Sequence, residues 1–171
     1  MRLGVMCSGN GTNFENIITN PLCNKHEVVL MIHNTKQCGA VKRAAKWGIP
    51  HVRIPHKDED KMIEMFKVWN VDLIILAGYM RVIKNPADLP APIINVHPSL
   101  LPKYKGLNVV ERAMEAGDEE TGCTVHYVNE EIEPVSNRLL IFDGLFIHTG
   151  CTPSKNNRRI LINSNFRYRE L

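Results

Sequence analysis

The chain has 171 residues, enough for one domain of ordinary size with a real core. Its 44% apolar and 23% charged residues match a soluble globular protein, and a formal charge of +3 is too small to argue for nucleic acid. Five cysteines (Cys7, Cys23, Cys38, Cys123, Cys151) are odd in number and scattered, so neither a disulfide framework nor a zinc site is expected, and no metal is assigned. Free thiols suit a reducing cytoplasm, and no apolar run has the length of a signal peptide or a membrane span.

Taken in order, residues 2–7 read as a buried strand, followed by Ser8-Gly9-Asn10-Gly11-Thr12-Asn13 and a helix from Phe14 to Thr19 capped by Thr12 or Asn13. Strand, glycine-rich turn and helix form an anion cradle, because glycines let backbone N–H groups approach an oxyanion and the helix N terminus favours negative charge. The loop lacks the Gly-Lys-Ser/Thr of a Walker motif, and Phe14 breaks G-x-G-x-x-G, so it suits a single phosphate rather than a dinucleotide. A plain turn between strand and helix is the alternative reading.

Glu27 to Asn34 reads as a second strand, Cys38 to Lys46 as a helix ending near Gly48, and Ile49 to Pro55 as a short third strand. Asp58 to Trp69 is amphipathic, with Met62, Met65, Phe66 and Trp69 on one face as core packing. Asp72 to Gly78 is almost wholly apolar, the mark of a parallel strand buried on both faces. A further strand begins at Ile93 and ends at Asn95-Val96-His97, where Pro98 stops pairing and Pro102 and Gly106 mark a loop. Residues two apart on a strand share a face, so Asn95 and His97 project together. An amide donor beside a titratable ring suits oxyanion stabilisation and proton transfer, although such a pair also serves to satisfy local turns.

Asn108 to Gly117 reads as a helix, and Gly122 to Val128 alternates as a strand. The pattern is α/β: a mostly parallel Rossmann-like sheet flanked by helices, with antiparallel strands toward the C terminus. Ligands of such sheets sit outside the carboxyl ends of the strands, so the loops at 8–13, 78–83 and 95–102 should converge on one edge. One domain is expected over residues 1–150. Leu139 to His148 carries a hairpin signal around Asp143-Gly144, and Asp143 is read as a turn residue. Residues 151–171 form a divergent tail, read as a short edge strand from Arg159 to Ile162 with disorder, or as the product of a shifted reading frame.

Four segments now stand in order: Ser8 to Asn13, Leu76-Ala77-Gly78-Tyr79-Met80-Arg81, Asn95-Val96-His97-Pro98-Ser99-Leu100-Leu101-Pro102, and Gly122-Cys123-Thr124-Val125-His126-Tyr127-Val128. Together they closely resemble the phosphoribosylglycinamide formyltransferases among the folate-dependent formyltransferases, over residues 1 to about 133. The resemblance implies that Gly11, Thr12 and Asn13 hold a substrate phosphate, and that Gly78, Met80 and Pro98 line the ribosyl glycinamide. It implies that the backbone of Arg81, Val82 and Ile83 meets the pterin of 10-formyltetrahydrofolate, with Val128, Asn129, Glu130 and Glu131 as the far wall. Asn95 and His97 match the catalytic pair, and Glu133 stands where the family has a third catalytic group, an aspartate. The implied reaction moves a formyl group to the amine of glycinamide ribonucleotide in purine synthesis, with no metal and no covalent intermediate.

The family pattern is Asp, one residue, then Gly; here Glu133-Pro134-Val135 replaces it, and the family's long C-terminal helix is not legible. Two alternatives therefore accompany the enzyme reading: a degenerate relative that only binds nucleotide or a partner, and a hydrolase releasing formate from formyl-folate. A missing C-terminal cover would expose apolar sheet, so self-association as a homodimer is expected. Neither a membrane nor a nucleic acid is expected as a partner.

Overall fold

Every second residue of the first strand meets a different layer, and that alternation organises the domain. The computed structural model describes residues 1–118 and 121–128. Strands β1 (Arg2–Cys7), β2 (Glu27–His33), β3 (His51–Arg53), β4 (Leu73–Leu76), β5 (Ile93–His97) and β6 (Thr124–Tyr127) form one sheet in the order β3-β2-β1-β4-β5-β6. All neighbours are parallel except β5 and β6, which are antiparallel. Leu3, Val5 and Cys7 point to one face with Ile75, Ala77 and Ile94. There they pack with Phe14 of α1 (Thr12–Thr19) and with Ala40 and Ala44 of α2 (Ala40–Lys46). Met6, Ile74, Leu76 and Ile93 point to the other face, against Met62 and Phe66 of α3 (Glu59–Val68).

The stripe Met62, Met65, Phe66 and Trp69 is thus core packing, as its helical spacing implies. β3 is shorter than the run from Ile49 to Pro55, because prolines at 50 and 55 bracket it and neither has an N–H for the ladder. α4 (Val109–Glu115) buries Val109 and Ala113.

Three helices end in the same way. After α2, Gly48 lies at φ 65°, the Gly48 N–H bonds the Ala45 carbonyl at 3.2 Å and Ile49 N–H bonds Ala44 at 2.8 Å. Asn70 after α3 and Gly117 after α4 repeat this left-handed cap, which satisfies carbonyls that the helix leaves open. At the start of α3 the Asp58 carboxylate accepts from Lys61 N–H at 3.4 Å. Glu59, one residue on, accepts from the backbone N–H groups of Lys84 and Asn85 at 2.9 and 3.3 Å. That carboxylate pins the long connection from β4 to β5 onto α3.

The predicted α1 cap is corrected. The helix begins at Thr12, its N-cap is Gly11 at φ 73°, and no side chain caps it. The left-handed backbone turns the chain one residue earlier than the hydroxyl and amide side chains suggest. The hairpin read over Leu139–His148, Asp143, the edge strand from Arg159 to Ile162 and the tail 151–171 lie outside the described residues, as does most of the 119–171 region apart from β6 and its flanks. A cavity of about 330 Å³, lined by Arg2, Ile17, Glu27, Gly48 and Trp69 among others, opens at the amino ends of β1 and β2, opposite the loops that follow the parallel strands. No helix among the described residues is long and apolar enough to cross a membrane.

Gly4 tests the core packing. A Cβ there would lie 2.6 Å from Phe66 Cε1 and 3.1 Å from Val71 Cγ1. Gly4→Ala is expected to lower unfolding free energy by about 1–3 kcal/mol through overpacking, read from urea denaturation. An unchanged midpoint would show that the Phe66 ring moves freely.

Candidate active site

One hydroxyl joins three of the loops at the carboxyl edge. Ser8 Oγ donates to Asn34 Oδ1 at 2.7 Å, after β2, and accepts from Met80 N–H at 2.9 Å, after β4. The Ser8 N–H bonds the Gly78 carbonyl at 3.1 Å, and its carbonyl accepts from Thr35 Oγ1 at 3.1 Å. The next residue, Gly9, offers its carbonyl to the N–H of Ala40 and to Cys38 Sγ, both at 3.2 Å. The loops at 8–13 and 78–83 therefore converge as their positions after parallel strands imply.

Gly11 is required twice over. Its φ of 73° disfavours L side chains, and a Cβ would come within 2.5 Å of Ala40 Cβ and 2.8 Å of Ala40 Cα. With the backbone pressed onto α2, the loop turns directly into α1. The first N–H groups of α1, those of Thr12, Asn13 and Phe14, have no intrahelical acceptor by helix geometry. Arg43 of α2 steadies the loop by donating from Nε to the Asn10 carbonyl at 2.8 Å and pairing with Glu15 of α1. Glu15 also accepts from Lys46 Nζ at 3.3 Å and Trp47 Nε1 at 3.1 Å.

Across the sheet, Ile93 packs into the core on the α3 face, and the same stripe continues as Asn95 and His97. Both side chains are half-buried. In the antiparallel ladder Asn95 stands opposite His126 and His97 opposite Thr124, so His126 joins the stripe. Asn95 Nδ2 lies 3.2 Å from His126 Nε2, and the rings of His97 and His126 meet edge-on with centroids 6.4 Å apart. His97 Nε2 donates to the Tyr104 carbonyl at 3.0 Å; a carbonyl only accepts, so that nitrogen carries the proton, and Nδ1 has no hydrogen-bond partner among the described residues.

The chain beyond Pro98 is folded to make this bond. Fully buried Ser99 donates from Oγ to the carbonyls of Lys103 and Tyr104 at 2.8 and 3.2 Å. Thr124 Oγ1 donates to the Ser99 carbonyl at 2.7 Å and accepts from Leu101 N–H at 3.1 Å. Lys103 Nζ bonds Asp118 at 2.6 Å, and the Tyr104 ring lies under Lys103 and Arg112 at 5.3 and 5.4 Å.

The other sequence-predicted residues fall as follows. Gly78, at φ 74°, Met80, Arg81 and Pro98 are exposed on the loops of this edge. Val82 is 80% exposed, whereas Ile83 is buried in the α3-side core. Val128 donates its N–H to the Ile93 carbonyl at 2.9 Å, two residues below Asn95 along β5. Asn129, Glu130, Glu131 and Glu133 lie outside the described residues. His126 was not singled out by sequence reasoning; its signal is the alternation of Thr124, Val125, His126 and Tyr127, which places it on one face with Thr124. No cluster of three or more His, Cys, Asp or Glu side chains able to hold a metal occurs among the described residues.

The formyl transferase family matches residues 1–134. The chain belongs to that family. It is 39% identical over 145 residues to a phosphoribosylglycinamide formyltransferase of Haemophilus influenzae, covering 77% of this chain and 68% of that one. It is 39% identical over 145 residues to the trifunctional purine biosynthetic protein adenosine-3 of Drosophila melanogaster, again over 77% of this chain but only 11% of that protein's length. Its fold matches the crystal structure of phosphoribosylglycinamide formyltransferase from Anaplasma phagocytophilum with a TM-score of 0.74 at 33% identity, covering 82% of this chain and 70% of that one. The mostly parallel sheet flanked by helices, with an antiparallel pair toward the C terminus, is the architecture expected from the sequence.

Two buried groups beside the site tie stability to pH. Burial, and then the neighbouring Cys38, pushes the Cys7 thiol up to about 12. Burial, and then the charge of Glu59, pushes Tyr79 to about 12 as well, against a smaller opposing effect of Arg81. Groups with folded values above their ordinary ones stabilise fully below the ordinary value and lose that contribution as pH rises toward the folded one. Urea midpoints should therefore hold from pH 7 to about pH 8.5 and fall between about pH 9 and 12, with Cys7→Ala flattening the first part of the decline. An unchanged midpoint at pH 10.5 would show that neither group is held protonated by the fold.

Proposed function

We propose that the chain transfers the formyl group of 10-formyltetrahydrofolate to the primary amine of glycinamide ribonucleotide, a step of purine biosynthesis. The observation that carries this reading is the Asn95–His97 pair at the end of β5, on the same carboxyl edge of the sheet as the turn at Gly11 that opens α1. Gly11, Thr12 and Asn13 would hold the phosphate with backbone N–H groups and the α1 dipole. Gly78, Met80 and Pro98 would line the ribosyl glycinamide, and the backbone of Arg81, Val82 and Ile83, with Val128, Asn129, Glu130 and Glu131, would bound the pterin. The ligand then crosses the sheet edge, from phosphate on the α1 side to reacting atoms on the α3 side.

In this reaction the neutral amine attacks the formyl carbon, its new C–N bond forming as the carbonyl π pair moves onto oxygen. Asn95 donates a hydrogen bond to that oxyanion. His97, with Nε2–H engaged by the Tyr104 carbonyl, takes the amine proton at Nδ1 and passes it to the departing folate nitrogen as the tetrahedral carbon collapses. The Glu133 carboxylate would orient the imidazole or a water and favour the charged ring.

A transfer assay with both substrates, run beside a folate titration, tests the reading. Asn95→Ala is expected to lower kcat by about 100- to 1,000-fold, the usual effect of losing an oxyanion donor. Gly11→Ala should instead raise KM for the ribonucleotide, because its Cβ would displace the loop from Ala40. Purified protein that neither bound folate nor formylated the amine would end the proposal.

The stretch Glu133-Pro134-Val135 favours a second reading, in which the fold binds substrate without efficient transfer. Glu133 is one methylene longer than the family aspartate, and a misplacement of about 1 Å can cost on the order of 100-fold. If Glu133 is misplaced, Glu133→Asp raises turnover; no gain in the variant would count against that account. Formate release without the amine substrate would instead identify a formyl-folate hydrolase.

A further inference from the structure

We propose that His126 is a positioning residue that sets the orientation of the Asn95 carboxamide, and that it acts as the Nδ1–H tautomer. The assignment begins at the ring's far side. His126 Nδ1 lies 2.9 Å from the Tyr127 carbonyl, which only accepts, so Nδ1 carries the proton. In a neutral ring Nε2 is then a pure acceptor, and the polar atom facing it at 3.2 Å is Asn95 Nδ2. The bonds run in one direction: the Asn95 amide donates to His126 Nε2, and His126 Nδ1–H donates to the Tyr127 carbonyl.

An asparagine amide has two nearly isosteric orientations, and on a strand nothing in its own backbone distinguishes them. The acceptor at His126 Nε2 does. It selects the orientation with nitrogen toward β6, engages one N–H and leaves the second N–H of the same nitrogen for a ligand. His97, with its ring 6.4 Å away, is held as the opposite tautomer by the Tyr104 carbonyl. Two imidazoles on one stripe thus have opposite tautomers, each set by a backbone carbonyl. One offers its free lone pair to a proton, and the other offers its lone pair to an amide. The placement follows from register: with Asn95 directly opposite His126, a one-residue slip of β6 would replace the imidazole by Val125 or Tyr127 on the opposite face.

The kinetic consequence rests on the formyl-transfer reading, whereas the tautomers belong to the protein alone, so the experiment has two arms. Long-range ¹H–¹⁵N spectra of the imidazoles, with His126→Gln and His97→Gln used for assignment, should show His126 with a protonated Nδ1 and His97 with a protonated Nε2. Finding His126 as the Nε2–H tautomer would overturn the proposal whether or not the protein is active. In the transfer assay, His126→Leu should lower kcat by about 10- to 100-fold with less than a twofold change in either KM. His126→Gln should restore most of the loss, since its terminal carbonyl reaches the Nε2 position and can accept from the amide. Folding of each variant is checked by circular dichroism. Where His126→Leu does not fold, His126→Lys, which offers a donor in place of the acceptor, should show the same loss of kcat. A folded His126→Leu with unchanged kcat would also overturn the proposal. If the wild type shows no transfer, the formyl-transfer reading fails while the tautomer arm still decides this one.

Discussion

The register of β5 is the constraint on which the site depends. Ile93 is packed into the core against the α3 layer, and alternation then carries Asn95 and His97 onto the same face just beyond the end of that core. A slip of one residue would send both polar side chains to the α1 and α2 face and bring Ile94 and Val96 to the α3 face in their place. Burial of a few apolar side chains therefore fixes the positions of the polar ones. The antiparallel partner β6 extends the same logic, with Val125 packing on one face and His126 joining Asn95 on the other.

Around this stripe the loops are held by hydrogen bonds as well as by packing. Ser8 uses its hydroxyl, N–H and carbonyl to connect the segments after β1, β2 and β4. Ser99, Thr124 and the carbonyl of Tyr104 do the same after β5. Each bond contributes about 1 kcal/mol net, yet an unpaired buried partner costs more, so these networks fix geometry more than they add stability. Fixed geometry is what proton transfer and oxyanion stabilisation require. Two of the charged side chains near the edge are neutralised in pairs, Arg43 with Glu15 and Lys103 with Asp118.

This division of labour runs through the part of the chain that the formyl transferase family matches. The match reaches residue 134 and includes every element described. The stretch from Glu133 to Val135 lies beyond β6 and Val128 in the chain, outside the described residues. The described contacts of Asn95, His97 and His126 come from β5, β6 and the Tyr104 carbonyl.

The sequence by itself determined the layered α/β order. Apolar runs at 2–7, 27–34 and 72–78, the stripe at Met62 and Phe66, and the turn residues Gly48 and Gly117 are local signals with local causes. The i, i+2 spacing of Asn95 and His97 also sufficed to put them on one face, and four short motifs carried the family resemblance. Tertiary structure alone decided the rest. Gly11 rather than Thr12 or Asn13 stands at the N-cap of α1, where Ala40 of another helix leaves no room for a Cβ. Ser8 became a junction only when parallel pairing brought Asn34 and Met80 to it. His126 came to Asn95 through the register of two strands far apart in the chain, and the tautomers of both histidines follow from which backbone carbonyl each ring meets. Such choices rest on contacts between distant segments, and no local pattern of residue types encodes them.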